Sequence, residues 1–106
     1  LIDVAVKSIE EANLSVKIFT GRVVSGDQFI AGKEKKDDLV NTFAGDCAEM
    51  EGASIAHAAY VNNIPCLIIR AISDKADGSA EMDYPTFEKK AAANSIKILK
   101  QLIKNL

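Results

Sequence analysis

The segment at 64–73, IPCLIIRAIS, is a nearly continuous apolar run, opened by Pro65 and interrupted only by Arg70 before its final Ser73. A run of this length without a polar alternate fits a strand covered on both faces, and such strands lie centrally in sheets that carry helices on either side. The neighbouring segments fit that frame. Residues 1–12 place apolar side chains at 1, 2, 4, 5, 6 and 9 with Glu10 and Glu11 behind them, the pattern of an amphipathic helix that Asn13 can end. Residues 15–24, SVKIFTGRVV, are rich in β-branched and aromatic side chains and predict one long strand, bent at Gly21. Residues 25–33 carry two glycines, Gly26 and Gly32, and Asp27, and predict a loop whose middle exposes Phe29 and Ile30.

Residues 34–43 predict a polar helix with a narrow apolar edge at Leu39, Val40 and Phe43, and 45–51 a short strand or strand end. The segment GASIAHAAYVNN is small and apolar on nearly every face, which predicts a helix packed on several sides and stopped by Asn62 and Asn63. A polar loop at 74–84 then leads to Pro85, a first-turn residue, and a last helix. The order helix, strand, helix, strand, helix, strand, helix predicts an α/β fold of three layers, a central and mostly parallel sheet flanked by helices.

Charge narrows the partners. With 13 basic and 15 acidic residues the chain has a net charge of −2, so it lacks the basic field that nucleic acid binding draws on. Its apolar runs fall short of the roughly 20 residues of a membrane span. No nucleic acid and no membrane is therefore expected as a partner, and the cytoplasm is the expected location. Cys47 and Cys66 lack metal-site spacing and have a single histidine to join them, so they are expected as reduced core thiols and no metal or other cofactor is expected. His57, among small residues, is expected in the core or at an interface.

In open α/β sheets ligands bind beyond the carboxyl ends of the strands. The loops that leave those ends hold Asp27, Glu49, Glu51, Ser73, Asp74 and Asp77, with Arg70 just inside the last strand. Carboxylates that share a partly dry cleft separate their pKa values, so one can donate a proton while another stays ionised. Such a pair suits cleavage of a glycosidic bond, whose transition state bears positive charge on the sugar while the leaving group needs a proton. The same residues also fit plainer roles. Glu49 and Glu51 suit the positive end of a helix, and Asp74 suits a turn or cap. Asp27 and Asp77 suit loop structure.

Three stretches, SGDQFI, AEMEGASIAHAAY and IIRAISDKAD, resemble in order and separation the second half of the 5'-methylthioadenosine/S-adenosylhomocysteine nucleosidases, members of the nucleoside phosphorylase-like superfamily. The resemblance runs from about Val16 to the C-terminus. It implies that residues 1–106 are the C-terminal half of a single nucleoside phosphorylase-like domain, and that the activity is hydrolysis of the N-glycosidic bond to release adenine. By the same resemblance Asp74 is the acid at N7 of the departing base, with Ser73 holding it. Glu51 binds the ribose hydroxyls and supports the cationic state, Met50 packs beneath the sugar, and Phe29 and Ile30 read and stack on the adenine. Arg70 orients polar groups near the sugar, and Tyr84 occupies an aromatic position of the alkylthio pocket that is often Phe in the family. Glu49 is expected beside the substrate too, with pairing to Arg70 or capping of the next helix as its alternative.

The resemblance further implies a homodimer. The residue that activates water is expected to lie upstream of Leu1, in a missing half whose absence would leave these 106 residues inactive alone. Two other readings stay open: a phosphate-dependent phosphorylase of the same superfamily, and a noncatalytic module.

Overall fold

The computed structural model describes residues 1–73 and 84–106. Its elements are α1 (Ile2–Glu11), β1 (Val23–Ser25), α2 (Lys33–Phe43), β2 (Cys47–Glu49), α3 (Gly52–Val61) and α4 (Tyr84–Asn105). They fall into two units, Leu1–Thr20 with Asp83–Leu106, and Gly21–Met82. Among the described residues no helix is long and apolar enough to cross a membrane.

The first unit pairs α1 with α4. On α4 the more shielded side chains are Phe87, Ala91, Asn94, Ile98, Gln101, Leu102 and Asn105, whose three-and-four spacing lays one stripe along the helix. On α1 the buried positions are Ala5 and Ser8, small enough to let a helix approach closely. Ser8 is fully buried and pays no desolvation penalty unopposed, because its Oγ donates to Val4 O at 2.6 Å and accepts from Asn105 Nδ2 at 2.9 Å. Gln101 and Asn105 each donate to Glu11 Oε2 at 2.8 Å, which ties the C-terminal ends of the two helices. Asn13, with φ of 51°, takes the left-handed conformation that ends α1.

The second unit holds a parallel ladder in which Val23, Val24 and Ser25 pair with Cys47, Ala48 and Glu49. The crossover between these strands is α2, as a parallel connection requires. Its return turn is pinned at both ends. Arg22 donates its backbone N–H to Asp46 Oδ2 at 2.8 Å and its Nη1 to Phe43 O at 2.7 Å, while Ala44 adopts φ of 51° to close the helix. Gly21 is required there, since a Cβ would stand 2.6 Å from Asp46 Oδ2. The α/β class, the parallel pairing and the helical segments are as the sequence predicts.

Four expectations need correction. The strand expected over 15–24 joins a ladder only at Val23–Ser25, and 64–73 takes no place in a sheet, with Ile64, Ile69 and Ile72 exposed rather than covered. An extended segment becomes a strand only when a neighbour takes up its backbone hydrogen bonds, and among the described residues the ladder has two members three residues long. For the same reason α3 buries only Gly52 and leaves Ile55, Tyr60 and Val61 exposed, where packing on several sides was expected. Cys66 is exposed and Cys47 half-buried, where core thiols were expected, and both are free. His57, expected in the core or at an interface, is exposed.

Candidate active site

Ser25 and Glu49 are register partners at the ends of β1 and β2, so their side chains leave the ladder side by side on one face. The chain runs on from Glu49 through Met50 to Glu51, the N-cap of α3. These three facts place a hydroxyl and two carboxylates around one helix N-terminus, where unpaired N–H groups and the helix dipole favour negative charge.

Glu49 uses that field from inside. Its side chain is 2% exposed. The carboxylate accepts the backbone N–H of Glu51 at 3.0 Å, the N–H of Gly52 at 2.9 and 2.7 Å to its two oxygens, and the hydroxyl of Ser25. Arg70 Nη1 lies 3.7 Å from Glu49 Oε2. Ser25 Oγ in turn accepts the N–H of Ala53 at 2.8 Å, which supplies a partner for the next free donor of the helix. Burial pushes the Glu49 carboxyl up, but the Ser25 hydroxyl, the two backbone N–H groups and the Arg70 charge outweigh it and hold the group below the usual carboxylate range. Glu49 thus both caps α3 and pairs with Arg70. A Cβ on Gly52 would lie 2.8 Å from its Oε1, so the close approach depends on glycine.

Glu51 differs in exposure and in hydrogen bonding. Its side chain is 61% exposed, and as N-cap it makes no side-chain cap bond. Its Oε2 stands 3.6 Å from Arg70 Nη1, so one guanidinium, itself 42% exposed, faces both carboxylates. Cys47 lies on the Ser25 and Glu49 face of the ladder, and burial pushes its thiol up, against the pull of Arg70 and with the push of Glu49.

Of the residues expected from sequence, Glu49, Glu51 and Arg70 therefore come together. Met50 lies between the two carboxylates in sequence and is largely exposed. Phe29 is 78% exposed in its loop and Ile30 is half-buried. Ser73 is half-buried, and Asp74, like Asp77, lies outside the described residues. Tyr84 opens α4 in the other unit, where its ring centroid is 6.4 Å from that of Phe87. Sequence reasoning missed Ser25 and Gly52. The signal for Ser25 is the strand register, which places it opposite Glu49 and which periodicity alone does not supply. Among the described residues no group of three or more His, Cys, Asp or Glu side chains gathers to hold a metal ion.

Comparison with known proteins decides the family. The model of the phosphorylase superfamily matches residues 1–104. The chain belongs to the phosphorylase superfamily. Within it the chain is 43% identical over 86 residues to an aminodeoxyfutalosine nucleosidase of Helicobacter pylori, covering 81% of this chain and 37% of that protein. It is 36% identical over 107 residues to a 5'-methylthioadenosine/S-adenosylhomocysteine nucleosidase of Staphylococcus aureus, covering 100% of this chain and 46% of the relative. A solved structure of a Helicobacter pylori nucleosidase variant with 5'-methylthioadenosine in its active site superposes with a TM-score of 0.82 at 38% identity, over 98% of this chain and 44% of that one. The chain spans less than half the length of these relatives.

Proposed function

We propose that the protein carrying this chain hydrolyses the N-glycosidic bond of 5'-methylthioadenosine and S-adenosylhomocysteine, releasing adenine and the 5'-thio-substituted ribose. The observation that carries the reading is the unequal fate of two neighbouring carboxylates. Glu49 is fully engaged by protein donors, whereas Glu51, two residues on, stays exposed and ionic beside Arg70. An exposed carboxylate held at a strand end suits stabilisation of a cationic sugar, since it needs no rearrangement as charge develops. In this reading Glu51 binds the ribose hydroxyls and faces the forming cation. Asp74 supplies the proton or hydrogen bond at N7, and Ser73 orients it. Phe29 and Ile30 take the adenine, Met50 the underside of the sugar, Arg70 the polar groups near it, and Tyr84 the alkylthio group.

The same proposal makes residues 1–106 the C-terminal half of one nucleoside phosphorylase-like domain in a cytoplasmic, bacterial homodimer that serves methionine salvage. Because relatives of both names match, aminodeoxyfutalosine belongs among the candidate substrates. The test is base release from 5'-methylthioadenosine with and without phosphate, with the sugar product weighed by mass spectrometry. Free methylthioribose without phosphate is the expected product. A phosphate-dependent sugar phosphate would move the protein to the phosphorylase branch. Asp74→Asn should abolish cleavage, and retained cleavage would remove Asp74 from its role.

A further inference from the structure

We propose that Ser25 and Glu49 act as a positioning pair that takes over the capping of α3 and thereby leaves the Glu51 carboxylate free and aimed at Arg70. The inference rests on the function proposed above for Glu51 and goes beyond it by assigning a role to Ser25 and to the buried carboxylate. A helix N-cap residue ordinarily turns its own side chain back onto the first free N–H groups. Here the N-cap is Glu51, and it makes no such bond. Its own N–H and that of Gly52 go to Glu49, and that of Ala53 goes to Ser25. The hydroxyl joins the two halves of the cap, donating to Glu49 while accepting from Ala53.

If capping were the only need, an exposed short polar residue at position 51 would meet it without burying a charge. The arrangement instead directs three hydrogen-bond donors and the Arg70 charge at a carboxylate that solvent barely reaches. What it gains is orientation. Glu51 sits at the bend between β2 and α3, with φ of −124° and ψ of −29°, and the hydrogen bond from its N–H to Glu49 fixes that bend. The Arg70 guanidinium is held from the other side by the same buried carboxylate, at 3.7 Å, and reaches Glu51 at 3.6 Å. Both the root of Glu51 and its ionic neighbour are therefore set by Glu49, and Glu49 is set by Ser25. Ser25 and Glu49 are positioning residues, and Glu51 is the group they serve.

The experiment compares wild-type protein with Ser25→Ala, Ser25→Thr and Glu49→Gln by two readouts: hydrogen exchange at the amides of residues 51–53, and steady-state base release from 5'-methylthioadenosine. Ser25→Ala and Glu49→Gln should speed exchange at those amides about tenfold or more, as a local opening that the cap no longer resists. They should lower kcat by roughly ten- to hundredfold while KM stays within about twofold, because misaiming harms the transition state more than binding. Ser25→Thr, which keeps the hydroxyl, should restore both. Faster exchange with kcat unchanged would overturn the aiming role, and lower kcat with exchange unchanged would overturn the cap. Were the wild-type protein to release no base, the proposed function would fall. Exchange would then decide the pair alone: acceleration in Ser25→Ala with recovery in Ser25→Thr supports it, and unaltered exchange overturns it.

Discussion

Each unit of the molecule ties its elements together around one glutamate, and the two ties differ in where the charge sits. Glu11 joins α1 to α4 from the surface, its side chain 37% exposed, with amide groups of Gln101 and Asn105 as donors. Those donors hold its carboxyl below the usual range, Asn105 foremost. Glu49 joins β1, β2 and α3 from within; its donors are a hydroxyl and two backbone N–H groups, with the Arg70 guanidinium as its ionic partner at 3.7 Å. The chemistry of acceptance is the same in both. Burial is what changes the consequence, because water can replace a lost partner at Glu11 and has little access at Glu49.

Substitutions can break that comparison. Glu49→Ala leaves the Ser25 hydroxyl and two helix N–H groups without their acceptor and one side of Arg70 without its counter-charge. The expected loss is about 2 to 3 kcal/mol in urea denaturation. A loss no larger than that of Glu11→Ala under the same conditions would mean that burial does not separate the two sites. Gly52→Ala is a milder probe. Alanine favours a helix by about 1 kcal/mol over glycine, yet its Cβ would press within 2.8 Å of Glu49 Oε1. Displacement of the carboxylate is expected to win, so that denaturation midpoints fall and the amides at 51–53 exchange faster. A more stable variant with unchanged exchange would show that Glu49 can shift freely.

Acid sharpens the comparison further. Since the folded protein holds the Glu49 carboxyl low, its stabilising contribution is complete above the unfolded pKa of about 4.3 and is lost as pH falls through the depressed folded value. Ser25→Ala removes one of the groups that depress it, leaving Arg70, the two N–H groups and the flanking Glu51 and Cys47. The acid unfolding midpoint should therefore move to higher pH, and an unmoved midpoint would deny Ser25 its part. The smallest effect belongs to Glu11→Gln. It keeps an oxygen acceptor for Asn105 or Gln101, so base release should stay unchanged, and a marked loss of activity would tie the α1 and α4 tie to the chemistry after all.

How far the sequence reaches can be traced through individual residues. The helices were legible because their apolar periodicity and stops, such as Asn13 and Asn63, are local properties. The motifs around Glu51, Arg70 and Asp74 were legible because their residue types and order resemble a known family, and the family comparison agrees with that resemblance. The run at 64–73 misled, since apolar content states a capacity for burial while ladder pairing depends on neighbouring strands. Ser25 stayed hidden for a related reason. Nothing in SGDQFI marks its hydroxyl as the partner of a carboxylate 24 positions away, and only the parallel register sets the two side by side.

The division of labour between the two carboxylates is tested most directly by single-turnover base release in Glu51→Gln, with hydrogen exchange at residues 51–53 measured on the same preparation. The exposed carboxylate should be needed for the reaction and not for the fold. Release is expected to fall by roughly a hundredfold or more while the amides remain as protected as in the wild type. Release near the wild-type rate with intact protection would contradict the account, because the group left free at the mouth of α3 would then have no part in the chemistry.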